Sequence, residues 1–119
     1  MKAAISLITG MEDAETVTVA MLVAVGAAEA GRETLMFLTK EAARLAVVGT
    51  AVGVACDGCP SLPDLFARYT AAGGRFLVCP ICFNARRLEE AALLDSATLG
   101  GTVQLWEWIG EGPVATFSY

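Results

Sequence analysis

The sequence predicts a single α/β domain, a mostly parallel sheet with helices on both faces. Two observations carry this. Short apolar runs of strand length alternate with helical segments along the whole chain. Strands separated by helices return in the same direction through right-handed crossovers. The chain is also only 119 residues long, with no repeat, low-complexity tract or linker, so residues 1–119 read as one domain.

The elements follow in order. Residues 3–8 are an apolar run ending at Thr9-Gly10, as expected of a buried parallel strand. Glu12, Asp13 and Glu15 then supply the acidic start that a helix dipole favours. Residues 17–30 read as a nearly all-apolar helix closed by Gly31. Residues 33–39 are a second strand, and residues 40–48 a short helix before Gly49. Residues 50–55 suit a short extended segment, and Cys56-Asp57-Gly58-Cys59-Pro60 is turn chemistry. Ser61 is an N-cap, with Pro63 and Asp64 in the first turn of a helix over residues 62–72. Gly73-Gly74 ends it. Residues 75–78 are a strand running directly into Cys79-Pro80-Ile81-Cys82. Pro80 opens a helix over residues 81–87, and residues 88–94 form a separate helical piece. Residues 98–101 are a brief strand or turn, residues 102–109 an amphipathic helix, and residues 114–118 a last strand.

Composition excludes several roles. Eight Lys and Arg are scattered against thirteen Asp and Glu, giving a net charge of −5. Nucleic-acid binding needs clustered positive charge, so no nucleic-acid partner is expected. The longest strongly apolar stretch, residues 17–28, is too short to span a bilayer, and no membrane role is expected. The N-terminus reads as a strand rather than a signal peptide, so the expected location is cytoplasmic. There, thiols stay reduced and cysteine pairs are more often catalytic or metal-binding than structural. A mean hydropathy of +0.59 is high for so small a domain. Some of that apolar surface is expected at a subunit interface, in a homo-oligomer.

The four cysteines carry the chemistry. Cys56-x-x-Cys59 is followed by nineteen residues and then Cys79-x-x-Cys82. Cys79 ends a strand. The first pair precedes a helix that must run back to start that strand, so topology places all four sulfurs at one sheet edge. One reading is a tetrahedral zinc site made by Cys56, Cys59, Cys79 and Cys82, since paired Cys-x-x-Cys knuckles at this separation match structural zinc sites. A second is a reactive thiol at Cys79, where a helix N-terminus favours the thiolate. The chain has no His, which removes any Cys–His pair. Activation then falls to the helix terminus, with Arg86 or Arg87 nearby. Persulfide transfer and disulfide exchange survive that restriction. A third is dithiol redox work, because Cys79-Pro80-Ile81-Cys82 looks like a glutaredoxin-type motif. It sits late in the chain, and the only later proline is Pro113. Packing of four buried thiols is the plain alternative, but it explains two such pairs at one edge poorly.

Other residues add less. Thr9, Gly10 and Glu12 share the edge with Cys79 and read most simply as a loop with capping residues. Asp57-Gly58 is a tight turn, and Asn84 a solvated position. Trp106 and Trp108 lie two apart, so they face different ways, one toward the core and one toward an interface or pocket rim.

Taken together, the strand at residues 3–8, the Thr-Gly loop, the apolar helix, Ala27-x-x-Ala30-Gly31-x-Glu33, the strand at 35–38, Ala72-Gly73, the strand at 76–78, Cys79-Pro80-Ile81-Cys82 and Ala85-Arg86 resemble the DsrE/DsrF-like family of sulfur-relay proteins. The resemblance covers essentially the full chain, and its most specific part is Cys-x-x-Cys-x-x-Ala-Arg after a strand. It implies a largely parallel five-stranded sheet in a Rossmann-like three-layer domain, and dimers, trimers or hexamers. It also implies a sulfurtransferase or carrier role. Cys79 would accept sulfane sulfur as a persulfide from a protein donor and pass it to a protein acceptor, with Cys82 as the resolving or supporting thiol. Two features depart from the family pattern. Arg87 stands where Gly is common, and Cys56-x-x-Cys59 is not a general family feature.

Overall fold

The computed structural model describes residues 1–119. Five strands, β1 (Lys2–Leu7), β2 (Thr34–Leu38), β3 (Arg75–Val78), β4 (Ala97–Leu99) and β5 (Val114–Ser118), form one sheet in the order β4-β3-β2-β1-β5. Every pairing is parallel. Four α-helices connect them: α1 (Ala14–Glu29), α2 (Leu62–Ala71), α3 (Pro80–Ala85) and α4 (Thr102–Ile109).

The strands bury alternate residues. In β1, Ala3, Ile5 and Leu7 enter the core while Lys2, Ala4 and Ser6 are half-buried. The face carrying Ile5, Leu7, Met36, Leu38, Phe76 and Val78 belongs to a core cluster of 21 residues completed by α1 and α2. Helix α1 contributes Val17, Ala20, Met21, Ala24, Val25 and Ala28, an i, i+3, i+4 stripe. It begins three residues before the expected start at 17. The Asp13 carboxylate accepts the Thr16 backbone N–H at 3.1 Å and its hydroxyl at 2.7 Å, which caps the helix there. The Thr16 hydroxyl and backbone N–H hold the Asp13 carboxyl below its usual range.

The opposite face of the sheet is covered only by α4, none of whose residues is fully buried. Lys2 pins that helix. Its ammonium lies 4.8 Å from the Trp108 ring centroid and donates to the Trp108 carbonyl. Trp108 is half-buried beside a groove of about 260 Å3, and Trp106 is 68% exposed. The two tryptophans do face different ways, but neither reaches the core.

Three expected elements change form. Residues 40–48, expected as an α-helix, wind as a 3-10 helix over Lys40–Ala46. That winding stacks Ala42 on Leu45 and Ala43 on Ala46, and all four are buried. Residues 50–55 form no strand; they belong to the loop that leads to α2. The helical piece at 88–94 shrinks to a 3-10 turn at Glu90–Ala92, because the flanking chain is tied back antiparallel. There Val48 N–H donates to Ala92 O at 2.9 Å, and Leu94 N–H to Ala46 O at 2.8 Å.

Helices α1, α2 and α3 all end in the same hydrogen-bonded cap. In α3, Arg87 N–H donates to Asn84 O at 3.0 Å and Leu88 N–H to Phe83 O at 3.3 Å. This cap needs a left-handed residue. Gly31 and Gly73 supply it after α1 and α2, and Arg87 adopts φ +55° after α3. Arg87 therefore stands where backbone geometry favours glycine.

One close approach fixes the entry to β3. Tyr69 is fully buried and donates to Arg75 O at 2.6 Å, with its ring centroid 5.0 Å from that of Phe76. Burial holds its phenol well above the usual range. A Cβ on Gly74 would stand 2.2 Å from this ring. Gly74→Ala is expected to lower stability by about 2–3 kcal/mol, because the packed ring cannot yield. Urea unfolding measures this, and an unchanged midpoint would contradict it.

Candidate functional site

Parallel registry brings the strand ends together. Leu7, Leu38, Val78 and Leu99 are successive register partners from β1 to β4. Ile8, Thr39, Cys79 and Gly100 therefore continue the chain at one edge. The ladder extends past the strands, with Thr39 N–H donating to Leu7 O at 3.1 Å, Cys79 N–H to Leu38 O at 3.0 Å and Gly100 N–H to Val78 O at 3.0 Å. Cys79 is thus held by the sheet through its own amide. It is also the N-cap of α3, in extended backbone at φ −60°, ψ 118°. Pro80 occupies the first helical position, where its missing N–H costs nothing. Phe83 is fully buried and anchors this six-residue helix, which packs against Lys40–Ala46.

Cys79 and Cys82 are free thiols, both half-buried. Partial burial pushes the Cys79 thiol up. The Cys82 backbone N–H, the Cys82 thiol and the Ile81 backbone N–H bond to the sulfur and outweigh it, so the net shift is downward. The first turn of α3 thus favours a thiolate at Cys79.

The arginines do different work from that expected. Neither Arg86 nor Arg87 is among the groups that shift Cys79. Arg86 Nε donates to Glu41 Oε1 at 2.8 Å, and its Nη1 to the Cys82 carbonyl at 3.2 Å. Arg87 is exposed. Glu41 also accepts from Arg44 Nε at 2.8 Å. Its carboxyl is held below the usual range by Arg44 first and Arg86 second. Sequence reasoning missed Glu41. It lies 45 residues from Arg86, and no local spacing signals the pair. Its role is to clamp the end of α3, and with it the Cys79–Cys82 turn, to the segment after β2.

The Thr9–Glu12 loop closes on the same place. A Cβ on Gly10 would stand 2.6 Å from the Glu41 carbonyl oxygen, so glycine is needed there. The Glu12 carboxylate accepts the Gly10 N–H at 2.6 Å, the capping role expected of this loop. Asn84 is exposed, as a solvated position should be. None of the three surface cavities is lined by a cysteine. Cys79 is half-buried outside these cavities, and Ile81, two residues on, is 80% exposed.

The four sulfurs do not form one cluster. Cys56 and Cys59 are paired with each other, their Cα atoms 5.2 Å apart. The tight turn folds the segment on itself, with Cys59 N–H donating to Cys56 O at 3.1 Å and Gly58 at φ +80°. No group of three or more His, Cys, Asp or Glu side chains is placed to hold a metal ion.

The lowered Cys79 thiol sets a pH dependence. A thiolate, not a thiol, reacts with iodoacetamide, so the rate rises through the thiol's pKa and levels off above it. Cys79 should reach half its maximal rate at a lower pH than an unperturbed thiol does. Cys82→Ala removes one of the lowering groups and should move that midpoint up. Site-resolved alkylation against pH measures both, and a midpoint at or above the ordinary value would contradict the assignment.

No curated protein matches this chain in sequence. Two of the solved structures that share its fold illustrate the likeness. The crystal structure of the ychN protein from E. coli aligns with a TM-score of 0.80 at 17% identity, covering 100% of this chain and 99% of that one. A protein of unknown function, MTH1491 from Methanobacterium thermoautotrophicum, aligns with a TM-score of 0.70 at 12% identity, covering 99% and 98%. At such identities the likeness concerns the fold. The profile of the DsrE/DsrF-like family matches residues 1–117, and this chain therefore belongs to that family.

Proposed function

We propose that the chain is a sulfur-relay protein that carries sulfane sulfur as a persulfide on Cys79, working in the cytoplasm. The observation that carries this reading is the free, half-buried Cys79 thiol, shifted toward its thiolate by the first turn of α3 at the carboxyl edge of the sheet. Membership of a family linked to sulfur relay supports it.

The chemistry balances without a base, which suits a chain with no His. The Cys79 thiolate attacks the outer sulfur of a donor persulfide. The donor's S–S bond breaks, and its inner sulfur leaves as a thiolate. An acceptor nucleophile then attacks the sulfane sulfur on Cys79, and Cys79 leaves as a thiolate. A lowered pKa helps this second step, since the more stable thiolate is the better leaving group. The exposed Ile81 beside Cys79, with no cavity lined by either cysteine of the pair, suits docking of a protein donor and acceptor rather than capture of a small molecule in a pocket.

Cys82 serves as the supporting thiol. It donates to Cys79 and lies within reach to resolve a persulfide as a Cys79–Cys82 disulfide, the redox alternative. Zinc held by Cys56, Cys59, Cys79 and Cys82 is the competing non-enzymatic reading, and it would require the two pairs to come together. A homo-oligomer formed through the thinly covered α4 face is part of the proposal. Trp106, Val103 and Phe117 are 68%, 64% and 43% exposed there. Sedimentation equilibrium tests that part, and a monomer would contradict it.

The direct experiment loads the protein with inorganic polysulfide, removes the excess and adds cyanide. Stoichiometric thiocyanate release is expected from the native chain, and essentially none from Cys79→Ser. Equal release from the variant would defeat the assignment. So would stoichiometric zinc in the purified protein together with thiols inert to alkylation.

A further inference from the structure

The relay chemistry leaves one pair of sulfurs without a task. We propose that Cys56 and Cys59 form a second, separate redox site, a dithiol/disulfide that exchanges with a protein dithiol. This inference stands beside the relay reading and does not depend on it.

Three observations argue against a structural staple. The Cys56–Cys59 bond closes only a four-residue turn, and stabilisation by loop closure is smallest for the shortest loops. Neither sulfur-bearing residue belongs to the hydrophobic core or packs against it, whereas Cys82 does pack against it. The fold also already has a core cluster of 21 buried residues to hold it.

The surroundings favour exchange. Cys56 and Cys59 are half-buried, while Val54, Asp57, Gly58 and Pro60 beside them are exposed, so an attacking thiolate can approach. A Cα separation of 5.2 Å lies within the range that lets two cysteines bridge without backbone movement. The bond can therefore open and close while the core stays unchanged. Val48, Val52 and Val54, in the same loop, are 65%, 57% and 60% exposed. They offer apolar footing to a protein partner, which a tripeptide thiol would not use.

The exchange proceeds in two steps. A thiolate of the partner attacks one sulfur of the Cys56–Cys59 bond. That bond breaks, and the departing sulfur takes the electron pair and then a proton. The partner's second thiolate attacks its own sulfur in the mixed disulfide, and the remaining cysteine of this chain leaves and is protonated. Two electrons and two protons pass from the partner, which ends as a disulfide, to Cys56 and Cys59, which end as thiols. The reverse reaction oxidises the partner.

The unaltered chain is sufficient for the test. Trypsin cleaves after Arg44, Arg68, Arg75 and Arg86, so Cys56 and Cys59 fall in one peptide and Cys79 and Cys82 in another. The oxidised protein is treated with reduced thioredoxin as the dithiol probe, and separately with reduced glutathione at the same thiol concentration. Alkylation then traps free thiols before digestion. The proposal expects thioredoxin to convert the 45–68 peptide from disulfide to doubly alkylated form, much faster than glutathione does, with far-UV circular dichroism unchanged. Oxidised thioredoxin should drive the reverse change. A pair that opens only when the chain unfolds would overturn the proposal, as would one reduced equally fast by glutathione. A pair that stays as two thiols under oxidised thioredoxin would also overturn it. As a check on the partner step, the oxidised, unaltered chain should trap a mixed disulfide with a thioredoxin lacking its resolving cysteine, whose thiolate opens the Cys56–Cys59 bond and leaves the other cysteine as a thiol; failure to do so counts against the proposal.

Discussion

Everything at the candidate site depends on the parallel pairing of β2 with β3. Their register sets Leu38 beside Val78 and lets Cys79 N–H donate to Leu38 O at 3.0 Å. Because each crossover must return the chain to the far edge before the next strand begins, the strand ends gather on one side. Cys79 inherits its position from that rule. Its amide completes the sheet, and its sulfur is left to the first turn of α3. The sheet fixes where the thiol is; the amides of Ile81 and Cys82, with the Cys82 thiol, favour the form it takes.

That placement carries a local cost. Lys40 and Arg87 are the two non-glycine residues with positive φ, at +52° and +55°. Each immediately neighbours one partner of the Glu41–Arg86 pair. Left-handed backbone costs roughly 1–2 kcal/mol per non-glycine residue. A partly exposed ion pair returns little, because solvent screens it and two side chains must be ordered to make it, and Glu41 is 41% exposed. The pair alone does not offset two such residues. Burial does: a phenylalanine side chain removed from water contributes about 1.5–3 kcal/mol, and Phe83 is fully buried along with Ala42, Ala43, Leu45 and Ala46. Glu41 and Arg86 set the orientation of the turn, and the apolar contact beneath supplies the stability.

Much of this was legible in the sequence because the signals were local. Apolar runs of strand length marked four of the five strands, β4 being read only as a brief strand or turn at residues 98–101, and Cys-Pro-Ile-Cys after β3 marked the site. What escaped was set by tertiary contact. No pattern in residues 40–48 distinguishes an α-helix from the 3-10 winding that buries four of its residues. Nothing near Arg86 reveals that Glu41 claims its guanidinium and removes it from the thiol's electrostatics. The sequence placed Cys56 and Cys59 in a turn and Cys79 at a strand end opening a helix, with all four sulfurs at one sheet edge. Topology could not show that the first turn would close on itself. Arg87 was visible as a departure from the family pattern, and its meaning became clear only with the α3 cap, which asks for a left-handed residue there.

The central claim is that sulfane sulfur resides on Cys79 and nowhere else in the chain. Peptide fragmentation after polysulfide loading and blocking of free thiols tests it most directly, because residues 76–86 form one tryptic peptide holding both Cys79 and Cys82. The account predicts fragment ions that place the mass of one added sulfur atom on Cys79, with Cys82 blocked as an ordinary thiol. Added sulfur found instead on Cys82, or on Cys56 or Cys59, would contradict it.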